Sequence, residues 1–378
     1  MFLSLPQEIF VPMNPDLLYR IALTQVPNIG DVQTKTLLQH YPTAEAIFKA
    51  RKRALEKIEG IGTIRARSIK NFTDFSRAET EIKFIEQYGI QPLYLTDCDY
   101  PQRLLNCYDS PALLYYRGTT NLNASRILAV VGTRNHSDYG RWACEQMIEA
   151  LQGEDILIVS GLAFGIDTLA HRAAIKHNMN TVGVLAHGLD MLYPHQNKSL
   201  AKQMTAQGGL LTDFPSNSKP DKQNFPKRNR IVAGMCDCIL VIESGKKGGS
   251  LITAELGNGY NKDVFALPGR TNDPKSEGCN FLISNNKAAL VQDAKQLLEL
   301  MGWKETQKRK APAQRELFIE LSPEERSIVQ LLQEKNGITL DELYFKSGLS
   351  SSKVAQALLM LEMQGLVTAL PGKVYQLN

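Results

Sequence analysis

Residues 224–255 combine one strongly apolar run with two polar clusters: NFPKRNRIVAGMCDCILVIESGKKGGSLITAE. The middle of the stretch reads CDCILVIE, and a continuous run of this kind predicts a strand that is buried on both faces. The cluster KRNR precedes the run, and GKKGGS follows it. Lys, Arg and bare glycine backbone are typical both of a solvated surface and of a phosphate-binding one. The rest of the chain decides between these two interpretations.

Five more apolar runs, each followed by a helical segment, are similar to the central strand: ILAVVG, ILIVSG, TVGVLAHG, LLTDF and DVFALPG. Near-continuous Val, Ile and Leu with helices between the runs is typical of parallel strands that are covered on both faces. The sequence therefore predicts an α/β fold over residues 87–303, with a doubly wound, mainly parallel sheet.

Residues 1–86 are predicted to form a separate helical domain, because apolar residues recur there at three- and four-residue spacing. Two stretches predict hairpin-like turns between helices, VPNIGDVQTKTLL and EGIGTIRARSI. They resemble a pair of helix-hairpin-helix motifs, which bind nucleic-acid backbones. Gly60 and Gly62 expose backbone N–H groups that can hold a phosphate. Asn28 stands where the first motif usually has glycine. A small helical packing domain explains the same pattern equally well.

A polar, basic linker is predicted over residues 304–320, followed by a winged helix-turn-helix over residues 321–378. Ser322 and Glu325 form a capping box in front of the first helix, and LVTALPGKVYQLN predicts two short strands about a turn. The third helix, SSSKVAQALLMLEMQG, has Lys353 as its only cation. A helix that reads a DNA groove usually carries several Arg or Lys residues, so contact with a protein partner is the better interpretation.

The overall composition excludes few classes of partner. The 378 residues carry a formal net charge of +4, which is compatible with a polyanionic partner but does not establish one. No apolar run reaches the ~20 residues that span a bilayer, and the amino-terminal MFLSLPQEIFVPMNPD lacks the basic start of a signal peptide. The six cysteines form no CxxC pair and suit a reducing compartment. We therefore expect a cytoplasmic protein that does not bind membranes.

Open parallel sheets bind their ligands beyond the carboxyl ends of the strands, and the loops at these ends are rich in glycine and cations. Arg134, Arg228 and Arg230 would supply forked donors for phosphate oxygens, and the Lys246–Lys247 pair adds point charges. Phe164 lies in a glycine-rich loop and offers a flat ring for stacking. Each residue alone has a plain structural explanation, but their convergence on one sheet edge favours a phosphate-binding surface.

The motifs of common nucleotide enzymes are missing. The chain contains neither GxxxxGK[ST] nor GxGxxG, which excludes a P-loop and a dinucleotide fingerprint. The histidines form no metal-binding signature, and His171, four residues after Asp167, is interpreted as structural. Ser160 and Ser250 have no evident base to activate them. We therefore predict a site that holds phosphates, with no catalytic residue, no metal and no cofactor.

Six motifs occur in order along the chain: VVGTR, SGLAFGIDTLAH, HGLDMLYPHQN, FPKRNRIVAG, GGSLITAE and FALPG. They closely resemble the DNA-processing protein A (DprA/Smf) family over residues 93–289, and the flanking helical and winged-helix domains also fit its members. The resemblance implies an extended Rossmann-like core that binds single-stranded DNA and forms a homodimer. It further implies delivery of this DNA to a RecA-type recombinase during natural transformation, without hydrolysis of nucleotide.

The resemblance also implies which positions contact the DNA. Carried over motif by motif, these are Gly132, Thr133, Arg134, Gly161, Phe164, Gly165, Lys227, Arg228, Asn229, Arg230, Gly249 and Ser250. The sequence departs from the family pattern at Gly248, where Ser is frequent, and at Asn286–Lys287, which replaces a Gly-Ala pair.

Two alternatives remain open at this point. GGSLITAE loosely resembles the P-G-G-x-G-T-x-x-E loop of nucleotide phosphoribohydrolases in the lysine-decarboxylase-like group, although Lys247, Leu251 and Ile252 depart from that loop. The other alternative is a scaffold whose terminal domains dock partners.

Overall fold

The computed structural model describes residues 15–303, 321–334, 337–370 and 373–377. The chain divides between residues 304 and 305 into two compact units, which are described separately. The linker predicted at 304–320 lies outside the described residues, as does the centre of the turn predicted between the last two strands.

A nine-stranded sheet organises the first unit. Its strands are β1 (Gln91–Tyr94), β2 (Leu113–Gly118), β3 (Arg126–Val131), β4 (Ile156–Ser160), β5 (Thr181–Val184), β6 (Gly209–Thr212), β7 (Cys238–Val241), β8 (Asp263–Ala266) and β9 (Ala289–Leu290). Their order across the sheet is β1-β2-β6-β5-β4-β3-β7-β8-β9. The pairs from β6 to β9 are parallel, and β1 and β2 are added antiparallel at one edge. The six predicted apolar runs form β3 to β8, so the predicted fold class is confirmed.

Helices cover both faces of this sheet: α7 (Gln102–Leu105), α8 (Asp138–Ala150), α9 (Ile166–Lys176), α10 (Lys198–Gln207), α11 (Asn224–Gly234), α12 (Gly249–Gly259), α13 (Glu277–Ser284) and α14 (Ala294–Leu300), numbered after six amino-terminal helices. In β3, Ile127 and Ala129 pack into one apolar cluster, whereas Leu128 and Val130 pack into another. Alternate residues of a strand point to opposite faces, so this division shows that β3 is buried on both sides. Because β3, β4, β5 and β7 are parallel, the loops that follow them lie along one open edge of the sheet.

The amino-terminal helices are α1 (Leu17–Gln25), α2 (Asp31–His40), α3 (Ala44–Lys49), α4 (Lys52–Glu56), α5 (Gly62–Asn71) and α6 (Ser76–Tyr88). Ile21 and Ile85 share an apolar cluster with Tyr94 of β1 and Leu210 of β6. These helices are therefore packed against the sheet edge, and residues 15–303 form one compact unit.

The two hairpin turns of the helical region share a residue with positive φ at the equivalent position. Asn28 has φ +65° and Gly60 has φ +79°, both in the left-handed region. Asparagine tolerates this conformation better than most residues, which explains how it replaces glycine in the first turn. Arg65 links the turns, because its Nε donates to the Asn28 carbonyl at 3.1 Å and its Nη1 donates to the Gly60 carbonyl at 2.8 Å.

The second unit is a winged helix-turn-helix, as predicted. It contains α15 (Pro323–Glu334), β10 (Ile338–Thr339), α16 (Leu340–Ser347), α17 (Ser351–Met363), β11 (Val367–Leu370) and β12 (Val374–Leu377), with the strands in the order β10-β12-β11. The capping box is present: the Ser322 N–H donates to Glu325 at 2.7 Å, and the Glu325 N–H donates to Ser322 at 3.2 Å. The two-residue β10 was not predicted. No helix among the residues described in either unit is long and apolar enough to cross a bilayer.

Candidate nucleic-acid interface

A cavity of about 380 Å³ opens where β3, β4 and β7 end. Glycines surround it, so backbone atoms form much of its wall, and the amino-terminal turns of α11 and α12 close two of its sides. Eight of the residues expected at a ligand line it: Gly132, Thr133, Arg134, Gly161, Arg228, Asn229, Gly249 and Ser250. The structure therefore brings the loops after three strands together, as their position in a parallel sheet requires.

The KRNR cluster is helical in the structure, whereas the sequence placed it among the strand-end loops. It lies in the middle of α11, and the helix divides the cluster between two surfaces. Arg228 and Asn229 line the cavity together with Phe225, at the three- and four-residue spacing of one helix face. Lys227 and Arg230 share a different face and line a second cavity, of about 630 Å³.

Arg228 is almost completely buried, with 5% of its surface exposed. Its Nη1 donates a 2.6 Å hydrogen bond to the carbonyl of Val184, at the end of β5. Burial lowers the pKa of Arg228, and the neighbouring carboxylate of Asp167 opposes this shift. A methyl group added at Gly161 would overlap the guanidinium, so only glycine leaves space for the arginine to cross the strand ends. Arg228 thus supplies positive charge at the floor of the cavity and also holds its walls.

Asp167, in the first turn of α9, lines the same cavity. Burial raises the pKa of its carboxyl, and the positive charge of Arg228 lowers it in part. The carboxylate accepts a 3.3 Å hydrogen bond from the Ala163 N–H. It therefore fixes the loop after β4 and balances the charge of the buried arginine.

Both ring nitrogens of His171 have hydrogen-bond partners within the protein, in agreement with the structural role predicted for this residue. Nε2 lies 2.5 Å from the Gly161 carbonyl, and Nδ1 lies 2.7 Å from the Thr181 hydroxyl. A carbonyl can only accept, so Nε2 carries the proton. Burial lowers the pKa of His171 to about 4, which keeps the ring neutral near pH 7. Its contact with Gly161 anchors the loop that borders the cavity.

Arg134 is exposed at the mouth of the cavity. Its guanidinium lies 4.8 Å from the centre of the Phe225 ring, and this ring lies 6.1 Å from the ring of Tyr193. A cation stacked on an aromatic face keeps its outer N–H groups available to solvent or to a ligand. Arg134 therefore offers hydrogen-bond donors for a phosphate, and Phe225 beside it offers a flat apolar surface.

Gly165 and Phe164 do not line the cavity. Gly165 has φ +81°, and a methyl group added there would overlap the carbonyl of Thr133. The next residue, Ile166, donates its N–H to this carbonyl at 3.1 Å. Gly165 thus allows the loop after β4 to pack against the loop after β3. The Phe164 ring is 41% exposed beside this contact.

The turn after β7 forms another side of the mouth. Lys246 and Lys247 are exposed in this turn, and neither belongs to the residues that line the cavity. Gly249 begins α12, and a methyl group added there would meet nothing within 4 Å. Gly248, Gly249 and Ser250 line the cavity, so the first turn of α12, with its N–H groups and the positive end of its dipole, forms part of the cavity wall. Ser250 donates a 2.9 Å hydrogen bond to the Ser244 hydroxyl, which shapes the turn.

Arg230 lies apart from this cavity, in an ion-pair network. Its Nη2 lies 2.9 Å from the carboxylate of Asp31 and 2.7 Å from that of Asp213, and its Nη1 donates to the Asp109 carbonyl. Although burial opposes charge, the carboxylates of Asp213 and Asp31 raise the pKa of Arg230. Its donors therefore join α2 to the sheet. Arg230 is not among the residues that line the cavity that Arg134 borders.

Glu243 is a site residue that sequence reasoning missed. It is buried, and its carboxylate accepts hydrogen bonds from the Ser137 N–H at 2.8 Å and from the Ser137 hydroxyl at 2.5 Å. Its backbone carbonyl accepts from the Thr133 N–H at 2.7 Å. Glu243 thereby positions both the loop after β3 and the start of α8. An acidic residue directly after the apolar run ILVI was the signal for this role.

A family model described as DNA recombination-mediator protein A matches residues 91–302, more than half of the chain. The chain belongs to the DNA-processing protein A family. Further models match on either side of this region, a helix-hairpin-helix motif at residues 21–82 and the DprA winged helix domain at residues 308–373. The predicted DprA/Smf resemblance is therefore confirmed.

Relatives and solved structures agree with this assignment. The chain is 34% identical to Protein Smf of Synechocystis, over 96% of this chain and 99% of that protein. It is 42% identical to DNA processing protein DprA of Streptococcus pneumoniae, over 54% of this chain and 71% of that protein. The X-ray structure of the Streptococcus pneumoniae protein superposes with a TM-score of 0.65 at 30% identity, covering 76% of this chain and 98% of that one.

A second family structure concerns the single-stranded DNA binding mode of DNA processing protein A from Helicobacter pylori. It superposes with a TM-score of 0.51 at 27% identity, covering 56% of this chain and 95% of that one.

Proposed function

We propose that this protein binds single-stranded DNA without sequence preference, in the cavity at the carboxyl ends of β3, β4 and β7. The observation that carries the proposal is that the stacked pair Arg134 and Phe225 lines the same cavity as the helix start at Gly249. Cations and N–H groups bind phosphates of any sequence, and an aromatic ring stacks on any base. The single-stranded DNA binding mode of the Helicobacter pylori relative supports the same ligand class.

We also propose that the protein holds DNA without chemical conversion. In the phosphoribohydrolase alternative, the acidic residue of the GGSLITAE loop would be Glu255. Its side chain is 73% exposed and lies 3.1 Å from Lys287, and it is not among the residues that line the cavity. A catalytic carboxylate should face the bound nucleotide, so this placement supports a binding role. Free base released from a nucleoside monophosphate would support the alternative instead.

We further propose that the bound strand is protected and passed to a RecA-type recombinase, during natural transformation or homologous recombination, by a homodimer in the cytoplasm. The recombination-mediator description of the matching family supports this role. Its test is a strand-exchange reaction in which the recombinase competes with a single-strand-binding protein. Stimulation of exchange by the wild type, and not by a variant that lacks DNA affinity, is the expected result. Light scattering measures the oligomeric state.

Fluorescence anisotropy of a labelled oligonucleotide, without ATP and across a salt series, tests DNA binding. The logarithm of the affinity should fall by about 0.7 per phosphate neutralised for each tenfold rise in salt. Arg134→Glu should lower the affinity and reduce this slope. Arg172→Glu changes an exposed arginine of α9 outside the cavity and is the matched control. Equal affinity for duplex and single strands, or no effect of Arg134→Glu, would contradict the proposal.

A further inference from the structure

Two large aromatic side chains are exposed at the start of α8. The Tyr139 side chain is 43% exposed and that of Trp142 is 59% exposed. Their ring centres lie 6.0 Å apart with a 34° angle between the planes. Burying such rings is strongly favourable, so an exposed pair on one helix face is typical of a surface that contacts a ligand.

The position of this pair is fixed by the sheet. Ser137 caps α8 and is held by the buried carboxylate of Glu243, directly after β7. The hydroxyl of Tyr139 donates a 3.1 Å hydrogen bond to the Pro268 carbonyl, just beyond β8. Both anchors lie past the carboxyl ends of strands, so the pair lies on the same edge as the proposed DNA cavity.

The aromatic pair is also within reach of a strand that leaves the cavity. β7 lies between β3 and β8 in the sheet. Two strand spacings amount to about 10 Å, which corresponds to at most about three nucleotides at a rise of ~3.4 Å. The turn with Lys246 and Lys247 follows β7, so its exposed charges lie between the cavity and the aromatic pair.

We propose that Tyr139 and Trp142 form a second stacking site, which takes unpaired bases of the DNA strand as it passes from the cavity toward β8. This inference rests on the proposed function and extends it by assigning a direction to the bound strand. Three features favour unpaired bases as the occupant: the continuity of this surface with the cavity, the intervening lysine charges and the exposed flat rings. Stacking tolerates any base, in agreement with binding that does not depend on sequence.

Tryptophan fluorescence gives the direct test. The chain has two tryptophans, and Trp303 is half-buried against an apolar cluster. In a Trp303→Phe background the signal comes from Trp142 alone, and an oligo(dT) strand of about 20 nucleotides should quench it saturably, at the concentrations where anisotropy reports binding. Binding by anisotropy without a change in Trp142 fluorescence would overturn the inference. An oligomer with abasic sites in place of all bases should bind without quenching.

Affinity of the full chain gives the second test. Trp142→Ala should weaken oligo(dT) binding by about 5- to 150-fold, the range expected for one lost base stack. Trp142→Phe should retain most of the affinity, and the salt slope should not change. Tyr108→Ala, which removes another exposed ring that is paired with Tyr260, is the control and should bind normally.

Failure of the inference is distinguishable from failure of the proposed function. If the wild type binds oligo(dT) with the expected salt slope but Trp142→Ala binds equally well, the second stacking site is wrong and the cavity proposal stands. If the wild type does not bind, both are wrong. If Trp142→Ala instead changes the oligomeric state with unchanged affinity for each protomer, the pair contacts a second copy of the chain, which also overturns the inference.

Discussion

Arg228 and Val184 lie 44 positions apart in the chain, and a 2.6 Å hydrogen bond from the guanidinium to the Val184 carbonyl joins them across the open edge of the sheet. Arg134, at the mouth of the same cavity, instead lies on the Phe225 ring and is exposed. Two arginines with the same expected contact therefore have different roles. One shapes the cavity, and the other is available to its ligand.

Substitution should separate these roles. Arg228→Gln leaves the Val184 carbonyl and the Asp167 carboxylate without their buried partner, so the free energy of unfolding should fall by about 2–5 kcal/mol. Arg134→Gln changes an exposed side chain and should alter it by less than about 1 kcal/mol while lowering DNA affinity. Urea denaturation and anisotropy on both variants measure these changes. Equal stability of the two variants would contradict the structural role of Arg228.

Gly165→Ala should destabilise the protein and weaken DNA binding together. Gly165 has φ +81° and ψ −131°, a conformation that only glycine adopts readily, and an added methyl group meets the Thr133 carbonyl. The strain alone amounts to about 1–3 kcal/mol, and relief would displace the loop that carries Arg134. Gly259→Ala is the control, because its methyl group would meet nothing within 4 Å at the end of α12. Urea midpoints measure the stability of Gly165→Ala and Gly259→Ala, and anisotropy measures their DNA affinity.

Arg230→Leu should reduce stability and leave DNA affinity unchanged. The substitution removes the partner of Asp213 and Asp31, and loss of one side of a largely buried ion pair costs about 3–5 kcal/mol. Lys227→Gln changes an exposed neighbouring side chain, so it should leave the free energy of unfolding nearly unchanged. Affinity is measured under conditions where circular dichroism shows the variant to be folded. A lower salt slope for Arg230→Leu would show that this arginine contacts phosphate after all.

Stability should fall in acid partly because of His171. Its pKa is lowered from 6.5 to about 4, so the folded state binds the proton less tightly than the unfolded state does. The stabilisation is therefore complete above pH 6.5 and is lost as the pH falls through 4, by about 3 kcal/mol in total. Urea midpoints at pH 7.5 and 4.5 should differ less in His171→Gln than in the wild type. His40→Gln, which changes an exposed ring, is the control and should follow the wild type.

Removal of residues 305–378 should leave single-stranded DNA affinity within about twofold. The cavity and its supporting contacts lie within the first compact unit. In the winged helix, the single cation of α17, Lys353, lies 2.9 Å from Glu324, so its charge is balanced locally. Anisotropy with the shortened chain tests this expectation. A loss of affinity beyond tenfold would show that the winged helix takes part in DNA binding.

The sequence determined the architecture of both units. Near-continuous apolar runs became β3 to β8, the capping box at Ser322 and Glu325 formed, and glycine-bearing strand ends met at one edge. These features depend on local periodicity and on the geometry of parallel sheets, which a short stretch of residues already specifies. Six ordered motifs were likewise sufficient to indicate the family.

Only the tertiary structure decided what each charged residue contacts. KRNR is one basic cluster in the sequence, but α11 turns Arg228 and Asn229 toward the cavity, and Arg230 toward Asp31, which lies 199 positions away. The role of Glu243 likewise depends on Ser137, 106 positions earlier. Partners at such separations follow from packing of the whole sheet and its helices, and no local pattern encodes them. Burial then determines whether an arginine holds the fold or remains available to a phosphate.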